Sequence, residues 1–102
     1  MYKNSRHIVW EKDPSGVIGR LRDHTGYYVR VKLWCNGEGK MVYRLASIHR
    51  IERPTTHYSA AEAVEEAARI LDDWRGGLVL VDERKAKIQA AEAEMHELLG
   101  LR

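Results

Sequence analysis

Residues 26–34, GYYVRVKLW, alternate with the two-residue period of a β-strand, in which successive side chains point to opposite faces of a sheet. The alternation separates the stretch into an apolar face and a mixed face. The apolar face carries Tyr27, Val29, Val31 and Leu33, and the mixed face carries Tyr28, Arg30, Lys32 and Trp34. We expect the apolar face to form a core. The mixed face interleaves two aromatic rings with two cations. A face that only contacts water does not need the aromatic rings.

Other short apolar runs in the first half also predict strands, because each run ends at a turn signal. Turns are expected at Asp13-Pro14-Ser15-Gly16 and at Asn36-Gly37, since proline presets φ and Asn-Gly is a strong hairpin signal. The predicted strands cover residues 7–12, 17–23, 26–34 and 40–45. Residues 46–53 are expected to hold a single helical turn and a short closing strand, with Ile48 and Ile51 as apolar anchors.

The second half changes to the period of an α-helix. Ser59 and Glu62 form a capping box that predicts a helix start, and Gly76-Gly77 predicts its end. Asp82 predicts the N-cap of a second helix. We therefore expect helices over residues 59–75 and 83–99. The second helix has an apolar stripe that needs a partner in the first half or in another copy of the chain, and it consists of Ile88, Ala91, Met95 and Leu98.

The order of strands and turns from Ile8 to Glu52 resembles a small β-barrel of the Tudor/KOW type, which has SH3-like architecture. The segments that carry the resemblance are GVIGRLRDHTGYYVRVKL and MVYRLASIHRI. The second segment is similar to the closing strand of the plasmid-encoded dihydrofolate reductase barrel, but Met41 stands where that family has a substrate-binding glutamine. The resemblance implies a binding module, because most members of this architecture bind nucleic acid, peptides or modified side chains without chemistry of their own.

These patterns predict an α+β fold, in which a small antiparallel SH3-like β-barrel or strongly curved sheet is followed by two C-terminal α-helices. Residues 1–54 would form the barrel, and residues 55–102 would form a helical extension that packs on it within one domain. A chain of 102 residues is long enough to bury a core without disulfides or metals.

Charge is divided unevenly between these two parts. Residues 1–54 carry eleven basic and five acidic side chains, a net charge of +6, whereas residues 55–102 carry six basic and ten acidic side chains, a net charge of −4. A basic half of this kind indicates a polyanionic partner. Alternatively, the two halves neutralise each other in the fold.

The mixed face is the candidate nucleic-acid interface. Guanidinium groups suit bidentate phosphate contacts, and aromatic rings offer planes on which unpaired bases stack. In the alternative, the aromatic rings pack beneath the C-terminal helices, and the cations pair with acidic residues of the second half. The candidate residues, with neighbours from adjacent strands, are Arg20, Arg22, Tyr28, Arg30, Lys32, Trp34 and Arg44.

The sequence carries no motif for catalysis or metal binding. The five histidines lack the spacing of a metalloprotease motif, and Cys35, the single cysteine, cannot form an intrachain disulfide. We therefore expect no enzyme activity, no cofactor and no metal. The single cysteine and the lack of an apolar run of membrane-spanning length predict a cytoplasmic protein that has no contact with a membrane.

Two functions fit these features. The first is a non-enzymatic accessory or regulatory module that binds DNA or RNA through the mixed face. The second is a protein-protein interaction module, such as a small mobile-element inhibitor or adaptor, which would bind a partner protein through the aromatic face or the acidic helix. A homodimer through the C-terminal helix is compatible with either function.

Overall fold

The computed structural model describes residues 6–52 and 54–100 as a five-stranded antiparallel sheet with a long helix packed on one face. The strands lie in the sheet in the order in which they occur in the sequence, and each is antiparallel to the next. The elements are β1 (Ile8–Asp13), β2 (Gly16–Leu21), β3 (Tyr28–Cys35), β4 (Met41–Ala46), β5 (Thr56–His57) and α1 (Ala60–Leu98).

The hairpin between β1 and β2 depends on Gly16, which ends the predicted Pro14-Ser15 turn. Gly16 has a φ of +156°, and a Cβ atom there would overlap the carbonyl oxygen of Val31 on β3. Only glycine fits this close approach of two strands. The turn therefore fixes both the β1–β2 hairpin and the packing of β2 against β3.

The hairpin between β3 and β4 is held by the side chain of Asn36. Its Oδ1 accepts hydrogen bonds from the backbone N–H groups of Glu38 at 3.0 Å and Lys40 at 2.9 Å. Gly39, with a φ of +82°, takes the left-handed conformation in this turn. The hairpin predicted at Asn36-Gly37 is present, and its left-handed residue is two positions later than the Asn-Gly signal.

The core lies between one face of the sheet and the first half of α1. Its sheet residues include Val29 and Val31, which are 0% and 2% exposed, and the small side chains of Ala63, Ala67 and Ala68 let the helix approach the sheet closely. The apolar face predicted for residues 27–33 is thus confirmed at Val29 and Val31. Leu33 is an exception, because it lies near the end of β3, outside the core cluster, and is 46% exposed.

The predicted closed barrel is wrong, because the sheet is open. Among the described residues, β1 pairs only with β2, and β5 pairs only with β4. A barrel fills its interior with side chains from its own strands. Here α1 covers the apolar face instead, so that the sheet buries this face without closing on itself.

The prediction of two helices is also wrong, because α1 continues without a break from Ala60 to Leu98. Neither Gly76 nor Gly77 takes the positive φ of a helix C-cap, whereas Gly100, with a φ of +71°, follows the true end of the helix. Glycine weakens a helix interior by about 1 kcal/mol but keeps its N–H donor, so the pair does not force an end. The predicted start is confirmed, since the Oγ of Ser59 accepts a hydrogen bond from the N–H of Glu62 at 3.1 Å.

The helical turn predicted within residues 46–53 does not form in the part of that segment that the structure describes, residues 46–52. Ser47 bends the chain here, because its Oγ donates to the carbonyl oxygen of Tyr28 at 2.6 Å and accepts from the N–H of His49 at 3.2 Å. The fifth strand comes later than predicted, at Thr56–His57, and pairs with Tyr43 and Arg44 of β4. Arg53 lies outside the described residues.

The molecule is elongated because the second half of α1 extends away from the sheet. The dimensions are 70 × 24 × 22 Å, and the radius of gyration is 19.1 Å, whereas a compact chain of this length has about 13 Å. The helix residues from Leu80 onward are all exposed as far as the described chain continues. Within residues 6–52 and 54–100, no helix combines the length and the apolar character needed to cross a membrane.

Candidate nucleic-acid interface

The register of the strands places most of the candidate residues together on one face of the sheet. Residues paired across antiparallel strands lie on the same face. Arg20 of β2 pairs with Tyr28 of β3, and on the other side of β3 Lys32 pairs with Arg44 of β4. We refer to this surface as the basic-aromatic face, and its residues are Arg20, Tyr28, Arg30, Lys32, Trp34 and Arg44.

Helix α1 does not cover the basic-aromatic face. The helix packs against the core cluster that contains Val29 and Val31, and these residues alternate along β3 with Tyr28, Arg30 and Lys32. The aromatic rings therefore do not pack beneath the helix, as the alternative interpretation expected. Trp34 is 49% exposed, and Arg44 is exposed as well.

Each aromatic ring of this face has a guanidinium group over it. The Cζ atom of Arg30 lies 5.9 Å from the ring centroid of Tyr28, and the Cζ atom of Arg44 lies 5.2 Å from that of Trp34. Such a pair contributes about 0.5–1 kcal/mol at an exposed site, whereas a base stacked on an aromatic ring contributes about 1–3 kcal/mol. A base can therefore displace the Arg44 guanidinium from Trp34 with a net gain in free energy.

Two of the cations are partly neutralised by acidic residues of β1 that lie on the same face. The Nε of Arg30 lies 2.8 Å from Oδ2 of Asp13, although its N–H is not aligned for a hydrogen bond, and a guanidinium nitrogen of Arg20 lies 3.9 Å from Oε2 of Glu11. The alternative interpretation placed such partners in the second half of the chain. They come instead from the edge strand of the same sheet.

Lys32 and Arg44 are the cations of this face that remain available for a ligand. In the part of the chain that the structure describes, neither forms an ion pair with a carboxylate. They are directly paired across β3 and β4, and Trp34 follows Lys32 by two residues on the same face. The strongest unneutralised positive charge therefore lies beside the most exposed aromatic ring of the face.

Arg22 is the one candidate residue that lies outside this surface. It is exposed and follows the end of β2, and its Nε donates a hydrogen bond to the carbonyl oxygen of Arg6 at 3.1 Å. The sequence-based prediction put Arg22 on this face because it extended the alternation of the second strand to residue 23. The strand ends at Leu21, so the alternation no longer determines where Arg22 points.

Two apolar side chains that sequence reasoning did not assign to the site lie beneath this surface. Ile18 pairs with Arg30 and Val42 pairs with Trp34, and both are buried, at 7% and 1% exposure, on the face away from α1. The long neighbouring side chains of the same face shield them from water. They give the basic-aromatic face an apolar floor, which holds the side chains above it.

A second aromatic group links residues 47–52 to α1. The rings of Tyr27 and His49 are stacked, with centroids 4.2 Å apart and planes inclined by 4°, and Trp74 meets both rings edge-on. A neighbouring cleft of about 340 Å³ is lined by Arg50, Ile51, Glu52, Ile70, Asp73 and Trp74. Sequence reasoning missed this aromatic group because it assigned residues 46–53 to a helical turn and a strand.

The turn between β2 and β3 is fastened to α1 by two polar contacts. The Nε of Arg75 donates to Oδ2 of Asp23 at 3.2 Å, and Nε2 of His24 lies 3.0 Å from Oδ2 of Asp82. Arg75 and Asp82 are two helical turns apart and therefore lie on the same side of the helix. Asp82, which the sequence suggested as an N-cap, instead anchors the helix to the sheet beyond Gly76-Gly77.

The residues with potential for metal binding or nucleophilic chemistry are dispersed. Over residues 6–52 and 54–100, no group of three or more His, Cys, Asp or Glu side chains is arranged to hold a metal ion. Cys35 is exposed, and its thiol points toward the carbonyl oxygen of Asn36 at 3.8 Å.

The chain was compared with protein-family models, with curated proteins and with solved structures. None of the three comparisons found a significant match.

Proposed function

We propose that this protein is a non-enzymatic nucleic-acid-binding accessory or regulatory module that uses the basic-aromatic face. The observation that carries the proposal is the row of Lys32, Trp34 and Arg44, which combines unneutralised cations with a half-exposed indole on the face that α1 leaves open. Phosphate contacts require the cations, and base stacking requires the ring.

The two aromatic residues of β3 define the length of the surface. Tyr28 and Trp34 are six residues apart on one strand, which corresponds to about 20 Å at the rise of an antiparallel strand. Flexible single-stranded DNA or RNA follows such a surface better than a duplex, because its bases are free to stack on the rings. We therefore expect a preference for single strands.

The proposal predicts that replacing Lys32 and Arg44 by glutamate abolishes most binding. Two phosphate contacts are lost and two carboxylates are added, so the affinity should fall and the slope of log affinity against log salt should decrease by about 1.4 for a single strand. Fluorescence anisotropy of labelled single-stranded and duplex DNA and RNA, titrated with protein at several salt concentrations, measures both effects.

The matched control is Lys12→Glu with Arg50→Glu, which makes the same change in net charge at exposed positions on the side of the sheet that α1 covers. This control should retain most of the affinity. Equal losses in the two double variants would mean that net charge alone attracts the nucleic acid, and the assignment of the face would then be wrong.

The second candidate function is a protein-protein interaction module, such as a small mobile-element inhibitor or adaptor. It is favoured by one specific observation, the presence of Glu11 and Asp13 next to Arg20 and Arg30. A surface of mixed sign suits a complementary protein better than a uniform polyanion. A stoichiometric protein partner that survives nuclease treatment in a pulldown, together with no binding to any oligonucleotide, would support this function over the first.

A cytoplasmic location belongs to the same proposal. The chain has one cysteine and hence no intrachain disulfide, which is the pattern of proteins that fold under reducing conditions.

A further inference from the structure

The second half of α1, residues 80–98, makes no contact that buries its side chains within the described chain. We refer to it as the distal segment, and it spans about 28 Å of helix. Every residue in it is exposed, and its larger apolar side chains are between 48% and 80% exposed. They are Leu80, Val81, Ile88, Met95 and Leu98.

These side chains follow the seven-residue repeat of a helix that packs against another helix. Val81, Ile88 and Met95 are spaced by seven, and Ala91 and Leu98 follow Ile88 and Met95 by three. These are the a and d positions of a heptad, which form one stripe along the helix. Arg84 occupies the first d position, three residues after Val81.

The distal segment gains no stability from packing within the described chain. Most helical stability in proteins comes from packing of an apolar face, so a partner on this stripe would stabilise the segment. The sheet does not supply that packing, because the core cluster and the residues packed on it extend along α1 only as far as Leu78.

The charges of the distal segment show what this partner is. Lys85 and Lys87 border the stripe at e and g positions in its first part, and Glu92 and Glu94 border it at e and g positions in its last part. Asp82, Glu83 and Glu97 lie at the outer b and c positions, away from the stripe. Among the described residues, none of the four bordering side chains forms an ion pair within the single chain. The segment is therefore complementary to itself when it is turned end for end.

We propose that the distal segment pairs in antiparallel orientation with the distal segment of a second copy of this chain. The twofold axis passes between Gln89 and Ala90, so that each a residue of one copy meets a d residue of the other. The three pairs are Ile88 with Ala91, Val81 with Leu98, and Arg84 with Met95.

The residues beside the stripe fit this register. At the flanking e and g positions, Lys85 meets Glu92 of the other copy and Lys87 meets Glu94 of the other copy, and the twofold axis repeats both pairs. Four Lys–Glu pairs therefore border the interface.

A parallel pairing fits the same residues poorly. It places Arg84 against Arg84 of the other copy within the stripe, where two like charges repel each other in a partly dehydrated contact. Lys85 would then lie beside Leu80 of the other copy, and only Lys87 would meet a glutamate, Glu92. The antiparallel register avoids the Arg84 repulsion and doubles the number of Lys–Glu pairs.

The first test is the molar mass of the purified chain in solution, measured by light scattering after size-exclusion chromatography. At high micromolar concentration and low salt, the proposal expects twice the chain mass of 11.8 kDa. Added salt should shift the protein toward the monomer, because the flanking pairs are exposed. A monomer at all concentrations would overturn the proposal, even if the chain were to bind an unidentified protein.

Charge reversal tests the flanking pairs. Lys85→Glu with Lys87→Glu and, separately, Glu92→Lys with Glu94→Lys should each give monomers, and an equimolar mixture of the two variants should restore the dimer mass. The control Lys12→Glu with Lys40→Glu should remain dimeric. A dimer in either reversed variant alone would contradict the proposed register.

The orientation is tested by disulfide formation in a chain with Cys35→Ser. With Met95→Cys alone, the two cysteines of an antiparallel dimer are offset by about 16 Å along the helices, which is too far for a disulfide. Adding Arg84→Cys places a cysteine opposite residue 95 of the other copy, so this double variant should form a disulfide-linked dimer. A linked dimer with Met95→Cys alone would establish a parallel pair and overturn the proposal.

Discussion

At the scale of single residues, Gly19 shows how the sheet accommodates a large aromatic side chain. Gly19 is buried on β2 directly opposite Trp10 of β1, and the ring of Trp10 lies across it. A Cβ atom at Gly19 would lie only 2.6 Å from Cζ3 of Trp10. Glycine thus leaves space for the indole, which packs against the edge of the core.

This packing predicts that Gly19→Ala destabilises the protein. The added methyl group must displace the Trp10 ring, and overpacking of this kind costs about 1–3 kcal/mol in the free energy of unfolding. Urea unfolding followed by far-UV circular dichroism measures the change. Gly26→Ala is the matched control, because no atom of the described chain outside its own neighbours lies within 4 Å of a Cβ there. Similar free energies for the two variants would contradict the role given to Gly19.

The same scale separates what the sequence could predict of the candidate site from what it could not. Alternation along β3 placed Tyr28, Lys32 and Trp34 on one face, because the direction of a side chain in a strand depends only on local geometry. The ion pair between Arg30 and Asp13 depends on the register of β3 with β2 and of β2 with β1, which the local pattern does not specify. The prediction therefore placed these side chains on one face but overestimated how many of its cations are free of acidic partners.

At the scale of elements, α1 is notable for continuing through two consecutive glycines. The sheet holds the helix on both sides of them, through Arg75 before the pair and Asp82 after it. Sequence reasoning treated Gly76-Gly77 as an end because glycine is common after the last helical residue. Tertiary contacts decided the outcome at the glycines, whereas the capping box at Ser59 was predicted correctly because it depends only on a local hydrogen bond.

A continuous helix predicts that Gly76→Ala with Gly77→Ala stabilises the protein. Both glycines are exposed with negative φ, and no described atom outside the backbone of the helix lies within 4 Å of a Cβ at either position. Each substitution should add up to about 1 kcal/mol to the free energy of unfolding and raise the Tm. Thermal unfolding by circular dichroism measures this effect. A lower Tm would indicate that one glycine ends the helix with a positive φ.

At the scale of the whole molecule, the two halves of the chain place their charges on opposite sides of the sheet. The acidic first half of α1 packs on the apolar face, and the basic-aromatic face points away from it. The difference in net charge between the two halves of the sequence is thus kept in the fold. Glu11 and Asp13 reduce the positive charge of the basic-aromatic face where they lie beside Arg20 and Arg30. The open sheet was not predictable from the pattern of strands, because closure depends on what covers the apolar face rather than on the alternation itself.

The proposed dimer predicts a dependence on oligonucleotide length, on the condition that the basic-aromatic face binds nucleic acid. Two faces in one particle bind a long strand more tightly than one, because the second contact is intramolecular. The wild-type protein should therefore gain affinity with probe length, and Lys85→Glu with Lys87→Glu should lose that gain while keeping its affinity for a short probe. A loss on the short probe would show that these lysines contact nucleic acid directly.

The central claim, that the basic-aromatic face binds nucleic acid, is tested most directly by Trp34→Ala. Loss of one stacking ring should reduce binding by about 1–3 kcal/mol, or roughly 5- to 150-fold in affinity for a single strand, and leave the salt dependence nearly unchanged. Fluorescence anisotropy compares this variant with wild type and with Met41→Ala, which removes an exposed large side chain on the opposite face of the sheet. The account predicts a loss in Trp34→Ala alone. Equal affinities in all three proteins, or no binding by the wild type at low salt, would contradict it.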